Sequence, residues 1–530
     1  MTIYRKIIFS VVIAASFFGF AELVSRVFIF PGSYDYIERR IIEHNLTQQK
    51  KDNEFRVFLY GESTMHGGAL YPHSVIGKWL RMYLADLLPE EIMRNVTVVN
   101  FGRMGADSKF IANAFAETAA YKPDLAVFYT VHNDFCLVEY RLERTSKKPL
   151  LRGVEDFFGT LPKRSSFLNL FNRLVIRAKI KRNKIIDARL DAEDPWYGES
   201  DEPEAFRKEA NLLRPGSPQF RRIAERFENN VNRIIETAEG RAIPVIFFEG
   251  LSRWKDYEPV KSLHNASLTQ DTLRTWQRYF SKAEILFARK EYNKAIALYH
   301  RCIDIDPSYA LTYYRLAECC ERMGMFDNAN KNYALANDND YFPIHAPSLV
   351  NRFYEDIRAK GTKGVDIIRT QKVIEKHSPN GIVDESLVAD QIHPTPEGQA
   401  LMALEVVKVI YKNNLLAPQE KWRWDKLRGI DGLKKELNMD DERMFHVYTG
   451  TASYLGKHYN EAAKFLEKAL TLKPKSIFVR SWLAWTYWKM GEIEKAMSLY
   501  RELYKERPSL AAAFFKRHPD IEELLLENFS

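Results

Sequence analysis

The sequence predicts an α/β protein built on a parallel sheet, joined to separate all-helical repeats. Three observations carry that expectation. Five short apolar runs are separated by long helical or mixed segments, the order expected of parallel strands joined by crossovers. Glycines and polar residues gather just past the carboxyl ends of the first three runs, where open α/β sheets bind their ligands. Small and aromatic residues recur 34 positions apart in two places, a period typical of stacked helix pairs.

Bulk properties set the bounds. A chain of 530 residues is too long for one compact core, so two or three domains are expected. Hydrophobic content of 46% and charge of 28% are those of a globular protein. A net charge of +8 is modest for this length and gives no reason to expect nucleic acid as a partner. Cys136, Cys302, Cys319 and Cys320 are too few and too unevenly placed for a disulfide framework. No metal-ligand spacing occurs, so no structural zinc is expected, and no cofactor is implied.

The elements follow in order. Arg5-Lys6 precedes an uncharged, almost wholly apolar run at 7–21, short for a full span of about 20 residues. Glu22 and Arg26 follow one helical turn apart, a pairing that lowers the cost of both charges near an interface. A cleaved signal peptide is the rival reading, but no small-x-small site follows the run. The expectation is an uncleaved single-pass anchor within residues 1–30. The leading cations place the bulk of the chain outside the cytoplasm, in the periplasm or at the cell surface.

The five strands are expected at 55–60, 96–100, 124–130, 243–248 and 364–368. The first is followed by Gly61-Glu62-Ser63-Thr64-Met65-His66-Gly67 and a helix over 74–87. Alone, Ser63 reads more readily as part of a simple strand-to-helix turn than as a nucleophile, because Gly-x-Ser after a strand is common. The second run leads into Asn100-Phe101-Gly102-Arg103-Met104-Gly105, the third into Val131-His132-Asn133-Asp134. Asp390-Gln391-Ile392-His393-Pro394 lies in a loop before a helix over 397–411.

Taken together, these blocks resemble the SGNH (GDSL-type) hydrolases, a family named for Ser, Gly, Asn and His in four separate blocks. Ser63 stands in the first block, with Glu62 where Asp is usual; Gly102 stands in the second. Asn133 stands in the third, with Val131 replacing a glycine, and Asp390-x-x-His393 forms the fourth. The likeness covers residues 54–135, 220–252 and 347–412. It implies a flavodoxin-like three-layer fold and an esterase. Ser63 would be nucleophile, His393 base and Asp390 its orienter, with the N–H groups of Ser63 and Gly102 and the Asn133 amide as oxyanion donors. The chemistry is consistent, because a serine hydroxyl needs a positioned base, and Asp-x-x-His supplies base and orienter from one loop. Glycine suits a place where an oxyanion approaches the main chain. The bland alternatives are a loop histidine, a turn asparagine and a turn glycine. His66 and His132 are read as lining residues. The Val131 side chain is expected to narrow the approach to Asn133.

Two further regions stand apart. An insertion at 136–219 contains, within 141–190, 14 Lys/Arg against 4 Asp/Glu; lid, lipid-surface helix, basic strip and solvated helix all fit it. The repeats place Ala283, Tyr292 and Ala295 against Ala317, Phe326 and Ala329. Nearer the C-terminus Gly450, Tyr459, Ala462 and Pro474 stand against Ala484, Ile493, Ala496 and Pro508. These resemble tetratricopeptide repeats, one pair at 276–342 and one at 443–510, with a terminal helix over 511–530. The combined expectation is a membrane-anchored serine esterase acting on an ester, such as an O-acetyl or short acyl group on a glycan or lipid. Its repeats would offer a groove to a protein partner. An acyltransferase using the same triad, or a scaffold without catalysis, are the alternatives.

Overall fold

The computed structural model describes residues 33–67, 74–136, 212–434, 436, 446–447, 449–450 and 459–506. The expected anchor (1–30), nearly all of the basic insertion and the expected helix at 511–530 lie outside the described residues. Among the described residues no helix is long and apolar enough to cross a membrane.

Five strands, β1 (Phe55–Gly61), β2 (Val96–Asn100), β3 (Leu125–Tyr129), β4 (Val245–Phe248) and β5 (Val365–Ile368), form one sheet in the order β2-β1-β3-β4-β5. Every neighbouring pair is parallel, and the order is one of the two common doubly wound arrangements. Every residue of β1, β3 and β4 is buried, whereas β2 and β5 are half-buried, as befits central strands covered on both faces and edges that are not. The apolar run before β4 begins at Ile243, but the strand starts at Val245. Pro244 has no N–H to give the ladder, although its carbonyl accepts from Ala126.

Side-chain alternation sorts the two faces. Tyr60 pairs with Phe128 and Phe128 with Phe247 in register, and their rings stack at 5.0 Å in both cases. Phe101 extends this aromatic row at 5.4 Å from Tyr60. Helix α3 (Ser108–Thr118) covers the row through Phe115 and α9 (Ser348–Lys360) through Tyr354, against which Phe227 of α4 (Pro218–Glu239) packs edge-on. Such pairs each add about 0.5–1.5 kcal/mol beyond burial. The opposite face carries α2 (Ile76–Leu87), where Gly77 sits so close to Leu59 that a methyl there would meet it at 2.8 Å. Beside it lies α11 (Pro396–Lys412), capped by the Thr395 hydroxyl on the Gly398 N–H. A helix that the sequence reading missed, α1 (Ser33–Glu43), packs its buried Ile37 and Ile41 into the same core.

The inserted repeats are four helices, α5 (Gln270–Ala288), α6 (Tyr292–Ile305), α7 (Ala310–Arg322) and α8 (Phe326–Asp338). Ala283, Ala295, Ala317 and Ala329 are buried where paired helices meet, in a core separate from that of the sheet. Between α9 and α11 lies α10 (Thr370–His377). Beyond the sheet follow α12 (Tyr459–Leu472), α13 (Ile477–Met490) and α14 (Ile493–Glu506). Their buried alanines 462, 484 and 496 fall at the repeat positions. Cys302, Cys319 and Cys320 are buried, free thiols.

Candidate active site

Three strand ends and one loop converge at the carboxyl edge of the sheet. Ser63 opens a four-residue helix directly after β1, preceded by Glu62 in extended conformation. Gly61 must be glycine, because a methyl there would lie 2.6 Å from the Tyr129 carbonyl oxygen and 2.6 Å from Met65. The 390–393 loop is closed on itself: Ala389 N–H donates to the His393 carbonyl at 2.8 Å, and Val388 bridges Pro394. That closure turns His393 toward Ser63.

The structure brings Ser63, His393 and Asp390 into one hydrogen-bonded line. His393 Nε2 lies 2.7 Å from Ser63 Oγ, and Nδ1 lies 2.7 Å from Asp390 Oδ2. Asp390 Oδ1 accepts the backbone N–H groups of Ile392 and His393, each at 2.8 Å. Burial pushes the Asp390 carboxyl up, but His393 and these amides outweigh it and hold it down at about 2. An acceptor-only carboxylate assigns the proton to His393 Nδ1 and leaves Nε2 as acceptor for the serine hydroxyl.

Gly102 lies against the Ser63 helix, where a methyl would meet the His66 N at 2.6 Å and the Met65 carbonyl carbon at 2.8 Å. Its N–H donates to Asn100 Oδ1 at 2.8 Å, while Asn100 Nδ2 donates to the Met65 carbonyl at 2.7 Å. Asn133 Nδ2 donates to the Ala106 carbonyl at 2.7 Å. Thus Gly102 and Asn133 are both at the strand ends, with their donors on protein acceptors.

Glu62 was a mild departure in sequence, without a role. Its buried carboxylate accepts the backbone N–H groups of Val131, His132 and Asn133 at 2.6–3.3 Å, tying the ends of β1 and β3 together. Burial raises it to about 8, with Asp134 adding to the rise and the amides opposing it. Asp134 accepts from Ser108 N–H and Oγ at 2.8 and 2.9 Å, fastening the start of α3; burial and Asp107 raise it to about 6. The expectation that Val131 narrows the approach to Asn133 is corrected. Val131 is fully buried and its Cγ1 packs on Gly250, where a methyl would meet it at 2.6 Å.

His132 is not part of that hydrogen-bonded line. Its Nδ1 accepts the Ala346 N–H at 3.0 Å, which assigns its proton to Nε2, 2.9 Å from Tyr129 Oη. Burial lowers it well below the ordinary range. His66 is lowered to about 4 by burial and by Arg40. A further buried imidazole, His345, is lowered to about 4 by burial and joins Gln391, Trp254 and Tyr314 around a cavity of ≈ 20 Å³. That is room for a water molecule rather than an acyl chain. Among the described residues no cluster of His, Cys, Asp and Glu is arranged to hold a metal ion.

Residues 283–324 match the family model described as TPR repeat, and residues 456–513 match one described as tetratricopeptide repeat. No curated protein matches the chain. Among solved structures, the chain is similar to a Bacteroides fragilis protein assigned as an acylhydrolase. They share 12% identity, with 69% of this chain and 90% of that one covered, at a TM-score of 0.29. A GDSL-like lipase from Bacteroides thetaiotaomicron shares 13% identity over 72% of this chain and 99% of its own, also at 0.29. A TPR protein of Thermus thermophilus shares 16% identity over 44% and 92%, at 0.14. Scores this low carry no assignment; the site's own geometry must do so.

Proposed function

We propose that the chain is a serine esterase of the SGNH (GDSL) type whose catalytic residues are Ser63, His393 and Asp390. The supporting observation is the pair of 2.7 Å hydrogen bonds that join the three side chains in the order a base-activated nucleophile requires. In this reading His393 Nε2 takes the Ser63 proton as Oγ attacks an ester carbonyl. The tetrahedral oxyanion is received by the N–H groups of Ser63 and Gly102 and by the Asn133 amide. His393 then gives its proton to the departing alkoxide, leaving an acyl-serine. Water, deprotonated by the same Nε2, releases the acid and restores the serine. Each oxyanion donor contributes about 3 kcal/mol; Gly102 and Asn133 exchange their Asn100 and Ala106 acceptors for the oxyanion as it forms.

The substrate class in this reading is an ester of small acyl group, on a glycan or lipid. Residues 7–21 anchor the protein in a membrane with the esterase outside the cytoplasm, and the repeats dock a protein partner. An acyl-serine can also pass its acyl group to a sugar hydroxyl, so product analysis with labelled donor and acceptor sugar separates hydrolase from transferase. Val131 packs on Gly250 rather than over Asn133, which supports the catalytic reading over a non-catalytic scaffold. The direct test is a fluorophosphonate probe and p-nitrophenyl acetate applied to the full chain beside Ser63→Ala and His393→Ala. Labelling and turnover in the parent, lost in both folded variants, are expected. A folded parent that neither labels nor turns over ends the esterase reading.

A further inference from the structure

The segment that leaves β4 crosses the carboxyl edge of the sheet and meets a different element at each of four consecutive amides. Gly250 N–H donates to Asn351 Oδ1 on α9 at 2.7 Å, and Leu251 N–H to Tyr129 Oη at the end of β3 at 3.3 Å. Ser252 N–H donates to Gln371 Oε1 on α10 at 2.9 Å, and Arg253 N–H to the Gln391 carbonyl at 2.9 Å. The last of these acceptors lies inside the Asp390–His393 loop.

Arg253 is the centre of this strap. Its side chain is 1% exposed, one of the largest fully buried in the chain. Nη1 donates to the carbonyls of Val388 and Ala389 at 3.4 and 3.2 Å. With the main-chain bond to Gln391, Arg253 therefore grips the loop on both sides of Asp390. Nη2 faces three carboxylates: Asp256 at 3.0 Å, Glu385 at 3.4 Å and Glu461 at 3.2 Å. The guanidinium also lies 5.2 Å from the centre of the Tyr257 ring. Glu461 belongs to α12, in the C-terminal repeats, about 200 residues further along the chain than Arg253. A buried cation is retained only where partners meet its donors, and a planar five-donor fork can serve loop carbonyls and carboxylates at once. Lysine cannot.

We propose that Arg253 is a positioning residue that holds the Asp390–His393 loop in register with Ser63, and that Glu461 couples the C-terminal repeats to that loop through it. The inference rests on the triad reading above. Strap residues next to Arg253 also engage the inserted repeats, Lys255 with Glu321 at 2.8 Å and Glu258 with Arg315 at 2.8 Å. Both sets of repeats are thus fastened to the segment that supports the base. A partner that draws α12 away from the strap takes Glu461 with it, and the loop loses part of its anchor.

The test uses the full chain with Arg253→Ala, Arg253→Lys, Glu461→Ala and the double variant Arg253→Ala/Glu461→Ala. Two readings are taken: steady-state hydrolysis of p-nitrophenyl acetate, and the low-field proton signal of the His393 Nδ1–H, assigned by its loss in His393→Ala. Arg253→Ala is expected to lower kcat about 10- to 100-fold with KM unchanged, as a misplaced base would, and to broaden or move the proton signal. Arg253→Lys recovers little of either. Glu461→Ala, which leaves Asp256 and Glu385 in place, lowers kcat about threefold, and the double variant falls no further than Arg253→Ala alone. Unchanged kcat and proton signal in Arg253→Ala, or losses that simply add in the double variant, overturn the proposal. Should Arg253→Ala not fold, Glu461→Ala and Arg253→Lys decide it by the same two readings. A parent without turnover but with the low-field signal counts against the esterase reading; the shift of that signal in the variants still judges the positioning role.

Discussion

Two constellations, each with a buried carboxyl and a histidine, meet at Glu62-Ser63, and they hold their groups in opposite ways. In front, Ser63, His393 and Asp390 form the hydrogen-bonded line at the surface of the site. Behind it, Glu62, His132 and Asp134 are buried and join backbone to backbone. The two histidines carry opposite tautomers: His393 holds its proton on Nδ1, donated to its carboxylate partner, and His132 on Nε2, because an amide N–H occupies its Nδ1. The carboxylates diverge as well. Asp390 is held at about 2 and Glu62 raised to about 8, although both are buried. Burial pushes both up; only Asp390 has an imidazole against it, whereas Glu62 has Asp134 as its charged neighbour. Partners, not burial, set the two carboxyls apart.

The largest expected effect breaks the front constellation without touching the rear. Asp390→Asn keeps an oxygen for the amides of Ile392 and His393 but presents an N–H to the imidazole, forcing the wrong tautomer. A fall in kcat of about 10⁴-fold is expected, with the melting temperature nearly unchanged, measured by p-nitrophenyl acetate turnover and calorimetry. A variant within tenfold of the parent would mean that Asp390 does not orient the base.

How much of this contrast was legible in the sequence follows from what each residue touches. The central strands were readable because strands inside a parallel sheet are near-continuous apolar runs, as 57–60 and 125–129 are. The Asp390–His393 pair was legible because both partners sit in one loop, three residues apart. Glu62 was not, because its partners are main-chain N–H groups some 70 residues away, which no side-chain pattern announces. Arg253 was hidden for the same reason, its acceptors being carbonyls over 130 residues on. Helix α1 was hidden because its apolar Ile37 and Ile41 stand among polar and charged residues directly after a long apolar run. Its Tyr36 hydroxyl donates to the Gly102 carbonyl, so this overlooked element touches the site.

The rear constellation is broken next, and the effect moves from rate to stability. Glu62→Gln leaves an N–H facing the amides of Val131, His132 and Asn133, so one buried donor loses its acceptor. The cost is about 1–3 kcal/mol of unfolding free energy, followed by urea denaturation. Its pH dependence carries the sign. A carboxyl raised to about 8 in the folded state binds a proton that the unfolded chain has already released above about 4.5. Glu62 therefore stabilises the parent at low pH, and that contribution fades as pH climbs toward 8. The deficit of Glu62→Gln should be greatest near pH 5 and shrink by pH 8.5. A deficit that grows with pH would show Glu62 to be ionised in the fold.

The smallest effect tests the join between the two constellations. Tyr129 Oη lies 2.9 Å from His132 Nε2 and accepts the Leu251 N–H at 3.3 Å. Leu251 is two residues before Arg253, which grips the Asp390–His393 loop. Tyr129→Phe removes that hydroxyl while keeping the ring against Phe248, so packing is preserved and two buried donors lose one partner. A loss of about 2 kcal/mol is expected, the low end for two donors left without an acceptor, with kcat within twofold of the parent, because the strap retains its bonds to Gln371 and Gln391. A larger fall in kcat at full stability would place Tyr129 and His132 in the support of the base. The rear would then be part of the catalytic machinery rather than a brace between strand ends.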